Sequence, residues 1–136
     1  MPGSIDNLKL TLSATINAFN THDWASVQRH MADDAVVRSI GNRPHNPGAS
    51  VKTYTAVSRP TSAREAIQAE FVENAYFEPI GQIVFNPPSG SAQTATISGV
   101  AHWTDIHGVD HIKFTFGCVF DSSRGWLFQD ISATAG

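Results

Sequence analysis

Two residues far apart in the chain could do acid–base chemistry together, Asp130 and Arg38. Asp130 closes the run that begins at Trp126, and a turn at 121–125 would fold this run back onto 109–120. With Phe120 opposite Trp126, Phe128 faces Cys118, and strict alternation lands Asp130 beside Phe116 on the apolar side of the sheet. A charged, unpaired carboxylate there costs several kcal/mol, so Asp130 must be protonated, paired or open to a polar pocket. Between Phe116 and Phe128 it would have the apolar surroundings that suit a general acid or base. A bulge in this hairpin would instead turn Asp130 outward, leaving a surface acid. Arg38 shares its parity with Val36 and Ile40. Facing inward, its guanidinium could hold Asp130 ionised or polarise a substrate carbonyl. Facing outward, it is a solvated edge arginine.

Around this pair, Trp103, Ile112, Phe114, Phe116 and Phe128 recur with period two and could form the wall of a substrate pocket, although such a stripe is by default plain core. His45 and Tyr54 fall in a Pro/Gly-rich stretch, 41–60, which has the length of a lid. Either could donate or shuttle a proton. His102 and His111 come out near each other on the polar side of the sheet, where a solvated or interfacial pair is the simplest reading because no third metal ligand has suitable spacing. Asp105 and Asp110 flank a hairpin tip and read as solubilising acids. Cys118, the single cysteine, reads as a small buried hydrophobe with no base to activate it. No phosphate-binding loop, dinucleotide fingerprint, serine elbow or HExxH motif is present.

The elements that must position these residues follow from periodicity. Ile5, Leu8, Leu12, Ile16 and Phe19 form one stripe of an amphipathic helix, with Leu10 off it. Asp23 fits the N-cap of a short second helix carrying Trp24, Val27 and Met31, which 32–34 would end before a strand at 35–40. Val51 to Val57 could form a short strand. Ser62 and Glu65 form a capping box that opens a third helix reaching about Asn74. Strands are expected at 80–85, 94–106, 109–120 and 126–134, with a turn at 86–90.

A two-residue turn at His107-Gly108 would set Trp103 opposite Ile112, Ala101 opposite Phe114 and Gly99 opposite Phe116. One face then collects Ile97, Gly99, Ala101, Trp103, Ile112, Phe114, Phe116 and Cys118, and the other collects Thr96, Ser98, Val100, His102, Thr104, His111, Lys113 and Thr115. A one-residue slip would destroy that separation. Gly99 and Gly117 in mid-strand suit sharp bending. Helices packed on one side of a curved antiparallel or mixed sheet make an α+β domain, with a cone-shaped central pocket if the helices leave the concavity unfilled.

Composition narrows the partners. The chain has 136 residues, 41% hydrophobic and 15% charged, which is enough to bury a core. Twelve acids against nine bases leave a net charge of -3, against a nucleic-acid footprint. No run approaches a membrane span and the first residues lack the pattern of a secretory signal, so a cytoplasmic protein is expected.

The order of these elements, with Asp23-Trp24 near a short helix, Ala32 to Val36 after it, the helix begun by Ser62 to Gln68 and the closing Gly125 to Asp130, resembles the nuclear transport factor 2-like superfamily. Within it, the chain looks like the SnoaL-like polyketide cyclases and related fungal isomerases. The resemblance implies that residues 1–136 form one SnoaL-like domain, a cone with three helices in its N-terminal half. It also implies cofactor-independent isomerisation or cyclisation of a hydrophobic, oxygenated polyketide, meroterpenoid or alkaloid intermediate. Asp130 and Arg38 stand where such proteins keep acid–base residues, and a homodimer through the outer sheet face, at Val100, Thr115 and Val119, is implied as well. A dehydratase or epoxide hydrolase in the same pocket, or a non-catalytic binding or dimerisation domain, are the alternatives. The tyrosine and protonated acid of a steroid isomerase cannot be placed here.

Overall fold

The computed structural model describes residues 2–55 and 75–136. The expected third helix, its capping box at Ser62 and Glu65, and the end of the 41–60 stretch lie outside the described residues.

The N-terminal stripe folds as expected. Strand β1 (Gly3–Ser4) leads into α1 (Ile5–Asn20), with the Ser4 hydroxyl accepting from the Asn7 N–H. Ile5, Leu8 and Leu12 are buried against the sheet while Leu10 faces solvent. Asp23 caps α2 (Trp24–Arg29), its carboxylate accepting from the Ser26 N–H. That helix stops earlier than 32–34, because Met31 already belongs to β2 (Met31–Arg38). Parallel pairing with the last strand begins at Met31 opposite Phe128, where the Phe128 N–H donates to the His30 carbonyl. Tertiary pairing thus takes residues whose local pattern reads as helix.

The remaining strands are β3 (Thr53–Tyr54), β4 (Tyr76–Asn86), β5 (Ser91–Ala92), β6 (Thr94–Asp105), β7 (Gly108–Asp121) and β8 (Gly125–Ala135). Together with β2, five of these form a mixed sheet in the order β3-β2-β8-β7-β6-β4, parallel only between β2 and β8, and β1 pairs with β5 in a small second sheet. This is the α+β cone with one face packed against helices. A second apolar cluster, including Val27, Met31, Val37 and Leu127, joins α2 to β2 and β8, and Val119 packs against it.

The long hairpin differs from expectation by two residues. Asp105 pairs with Gly108, so Ile106 and His107 make the turn; Ala101 then faces Ile112, Gly99 faces Phe114 and Ile97 faces Phe116. The cause is local. The Asp105 carboxylate accepts the His107 N–H at 2.8 Å, and Gly108 supplies a φ of +135° that its turn-closing position requires. An even slip leaves every side chain on its expected face. It also explains Gly99, since a Cβ there would come within 2.9 Å of the Phe114 ring.

Asn20, the last residue of α1, ties the helix to β4. Its Nδ2 donates to the Phe77 carbonyl at 2.8 Å and its Oδ1 accepts from the Phe77 N–H at 2.7 Å. Asn20→Ala removes both bonds and strands two backbone groups, which is expected to cost about 1–3 kcal/mol. A urea midpoint equal to that of the parent chain would show that this clamp contributes nothing.

Candidate active site

Between α1 and the concave side of the sheet lies a cavity of about 110 Å³. Helix α1 contributes Leu12, Thr15, Ile16 and Phe19 to its wall; Val37, Arg38 and Ile40 come from β2 and just beyond it, and Phe77, Trp103, Ile112, Phe116, Phe128, Ile131 and Ala133 from β4, β6, β7 and β8. Apart from the Thr15 hydroxyl, which donates to the Thr11 carbonyl, and Arg38, the described lining is apolar or aromatic. Of the residues expected on a substrate wall, Trp103, Ile112, Phe116 and Phe128 are there. Phe114 is not. It is fully buried behind the wall, edge-on to Phe77 and tilted on Phe116, so it holds the shape of the cavity without bordering it. Tyr54 does not border it either; it pairs with Val37 as part of the edge strand β3.

Asp130 is also placed differently. The ladder between β7 and β8 shifts after Cys118 opposite Phe128, so Gln129 bulges and Asp130 pairs with Gly117, leaving Ile131 opposite Phe116. The bulge puts Asp130 on the side away from Phe116, with its side chain 52% exposed. Gln129 itself is tied by its amide to both carboxylate oxygens of Asp34 on the irregular part of β2. Gly117 leaves room for this arrangement, since a Cβ there would stand 3.3 Å from that of Asp130.

Asp130 and Arg38 are nevertheless together. Arg38 Nη1 donates to Asp130 Oδ1 at 2.7 Å. With a side chain 41% exposed that also borders the cavity, Arg38 stands where the cavity meets solvent. The pair is therefore a rim feature. A half-exposed ion pair of this kind contributes about 0–1 kcal/mol to stability, so stability alone gives little reason for it.

The buried charge lies elsewhere, at the hairpin tip behind Trp103. Asp110 has a side chain only 1% exposed, and it meets Arg43 Nε at 3.3 Å and His45 Nδ1 at 2.8 Å. Arg43 also donates to Asp105, which accepts the indole N–H of Trp103 at 2.9 Å. Asp105 and Asp110 are thus not the solubilising acids expected from their position near a turn. Together they anchor the start of the 41–60 stretch, and through Asp105 they fix the ring plane of a cavity-lining tryptophan. Removing Arg43 alone would leave Asp110 buried beside a single imidazole, the situation in which a broken buried pair is costly. The parity of Asp110 with Ile112 was the sequence signal for its inward position.

Two titrations follow from burial. Burial pushes the Cys118 thiol up to about 12, so it stays protonated and inert at neutral pH. For Asp105, burial acts to raise the carboxyl, but hydrogen bonds from the Trp103 indole and the His107 N–H, with the charge and hydrogen bond of Arg43, outweigh it and hold the group below its ordinary value. A carboxyl lowered in the folded state contributes stability in full above the ordinary value of ~3.9 and loses it as pH falls through the lowered folded value. Denaturant midpoints measured from neutral pH into acid are expected to fall more steeply for the parent chain than for Asp105→Asn. Parallel acid limbs would remove Asp105 from the pH dependence.

No family model matches the sequence, and no curated protein matches it. Solved structures do. A candidate dehydratase of the NTF2-like family from Streptomyces avermitilis superposes with a TM-score of 0.67 at 14% identity, over 96% of this chain and 94% of its own. A candidate ketosteroid isomerase from Shewanella frigidimarina gives 0.59 at 11% identity, over 90% of each chain. AusH from Aspergillus nidulans gives 0.59 at 16% identity, over 99% of this chain and 87% of its own. At such low identity the likeness is one of architecture: this chain has the nuclear transport factor 2-like fold.

Proposed function

We propose that the chain is a cofactor-independent isomerase or cyclase of a hydrophobic, oxygenated secondary metabolite, a polyketide, meroterpenoid or alkaloid intermediate. The observation that carries this reading is a guanidinium, that of Arg38, at the edge of a cavity whose other described walls are almost entirely apolar. A carbonyl oriented toward Arg38 would develop negative charge as a neighbouring carbon passes its proton to solvent at the rim, which returns one at the shifted position, and a fixed cation beside a low-dielectric wall stabilises that charge more than water does. Arg38 is then the catalytic group. Asp130, held to it at 2.7 Å, acts as a positioning residue that keeps the guanidinium from swinging into solvent. Trp103, Ile112, Phe116 and Phe128 would select shape and hold the reacting part of the substrate against Arg38.

The volume constrains the ligand. At about 110 Å³ the cavity is smaller than the ~150 Å³ apolar cavity that accepts benzene, so it suits a branched alkyl unit or part of a ring of a larger molecule that extends past the rim. The activities named for two structural neighbours, dehydration and ketosteroid isomerisation, support acid–base chemistry on an apolar substrate. A dehydratase is the neighbouring enzyme class in this reading. A second reading, a non-catalytic ligand-binding domain, is favoured by the absence of any carboxylate or imidazole on the cavity wall among the described residues. Residues 1–136 are taken as one domain of this function.

A panel of oxygenated polyketides and terpenoid lactones, followed by chromatography and mass spectrometry for isobaric products, separates these readings. Conversion is expected, with Arg38→Gln lowering kcat about 10²–10³-fold, as loss of an oxyanion donor does. Asp130→Asn is expected to lower it less and to be partly relieved at low salt, where the guanidinium is less screened. Binding without conversion would establish the second reading. We also propose a homodimer through the outer sheet face around Val100 and Thr115, without Val119, which packs against the second apolar cluster instead; sedimentation velocity should then give twice the mass of the chain, and a single-chain mass would exclude it.

A further inference from the structure

The outer face of the sheet carries a second constellation, independent of the cavity. His102 on β6 and His111 on β7 stand directly opposite each other. Their Nε2 atoms are 3.0 Å apart, their ring centroids 4.6 Å apart and their planes inclined at 55°. Rings meeting head-on would hold their centroids farther apart at that nitrogen separation, so the imidazoles lean toward a shared point off the line between them. The two nitrogens are set by the long β6–β7 ladder, so little ordering is needed to bring them together.

We propose that this pair is a binding site for a divalent transition metal that prefers square-planar or tetragonal coordination, copper(II) foremost. At an imidazole–metal distance of ~2.05 Å, nitrogens 3.0 Å apart subtend an angle of ~95° at the ion. That is close to the right angle between adjacent ligands in copper(II) and nickel(II) geometry. A tetrahedral zinc site would want the same nitrogens ~3.3 Å apart. Copper(II) also stands highest in the general order of affinity for nitrogen ligands.

Glu78 supplies the outer support. It lies opposite His102 on β4, with Oε1 3.7 Å from His102 Nδ1. A carboxylate on that side favours the tautomer with the proton on Nδ1, which leaves the Nε2 lone pair for the ion and makes it a better donor. Without metal, one Nε2–H donates to the other Nε2; with the His102 proton on Nδ1 the donor is His111. When the ion binds, that proton moves through solvent to His111 Nδ1, so two neutral ligands result, with no net proton release and no electron transfer. The remaining positions are open to water in the single chain and to the facing sheet in the homodimer proposed above, since no group of three or more ligating side chains occurs among the described residues. Lys113, two residues along β7 on the same face, is the charge opposing the ion, and Glu78 is the charge favouring it.

Copper(II) chloride titrated into the intact chain at neutral pH, followed by calorimetry and electron paramagnetic resonance, tests the site. One equivalent is expected to bind, with coupling to two imidazole nitrogens. His102→Gln and His111→Gln should each weaken binding more than tenfold, and Glu78→Gln about tenfold, the loss typical of an outer-shell partner. His107→Gln, at the exposed turn, should bind like the parent chain. Nickel(II) sulfate should raise the melting temperature of the parent chain but not that of the two ligand variants, whose melting temperatures in chelator show that they fold. No saturable copper binding by the parent chain, or equal binding by the His102→Gln/His111→Gln double variant, would overturn the assignment.

Discussion

The geometry of the long hairpin depends on two acids near its tip. Asp105 closes the turn by accepting the His107 N–H, and Asp110, just across the strand pair, meets the Arg43 guanidinium and the His45 imidazole from the loop that follows β2. A buried carboxylate without those partners would be prohibitive, so register and loop position are fixed together. The consequence reaches the cavity. Asp105 holds the Trp103 indole, and the pairing it sets places Gly99 under the Phe114 ring, which in turn supports Phe77 and Phe116. The apolar wall is thus positioned by charges lying behind it.

This arrangement separates two uses of arginine. Arg43 is enclosed and serves architecture; Arg38 stands at the rim, paired with one half-exposed acid, and has a surface free to meet a ligand. An arginine whose charge is wholly consumed by buried carboxylates has little left to offer a substrate, whereas one held by a single carboxylate keeps donors to spare. The same distinction separates the histidines. His45 is committed to Asp110, while among the described residues His102 and His111 have each other and Glu78.

Much of the scaffold was legible in the sequence because period counting survives small errors. The first helix showed its stripe, Asp23 announced the second, and the faces of β6 and β7 came out right although their register was off by two, since an even slip preserves sides. What failed were the places where one residue's type or one extra residue decides. Asp110 reads as a surface acid by type and as a core residue by parity, and parity prevailed because Arg43 was within reach. Asp130 was counted inward along an unbroken ladder, and the bulge at Gln129 carries none of the glycine that often marks such a feature. Met31 matched a helical face, yet it opens a strand because its partner Phe128 lies in the last element of the chain. Arg38 was weighed as a partner for Asp130 with both side chains inward; the two do meet, but the bulge turns Asp130 outward and puts the pair at the rim. Phe114 and Phe116 share one pattern in the sequence, and only packing separates the ring that supports the wall from the ring that forms it.

The unpaired residue in β8 bears on how this strand can vary in length. Beyond Gln129 the ladder resumes with Ile131 opposite Phe116 and Ala133 opposite Phe114, so the inward sequence of side chains is the same as it would be in a strand one residue shorter. Loss of Gln129 would straighten β8 and forfeit its tie to Asp34, yet Phe128, Ile131 and Ala133 would still look into the same space. A shortening by one residue at this point therefore leaves the order of inward side chains intact, in a wall where a one-residue change elsewhere would turn every later side chain to the other face.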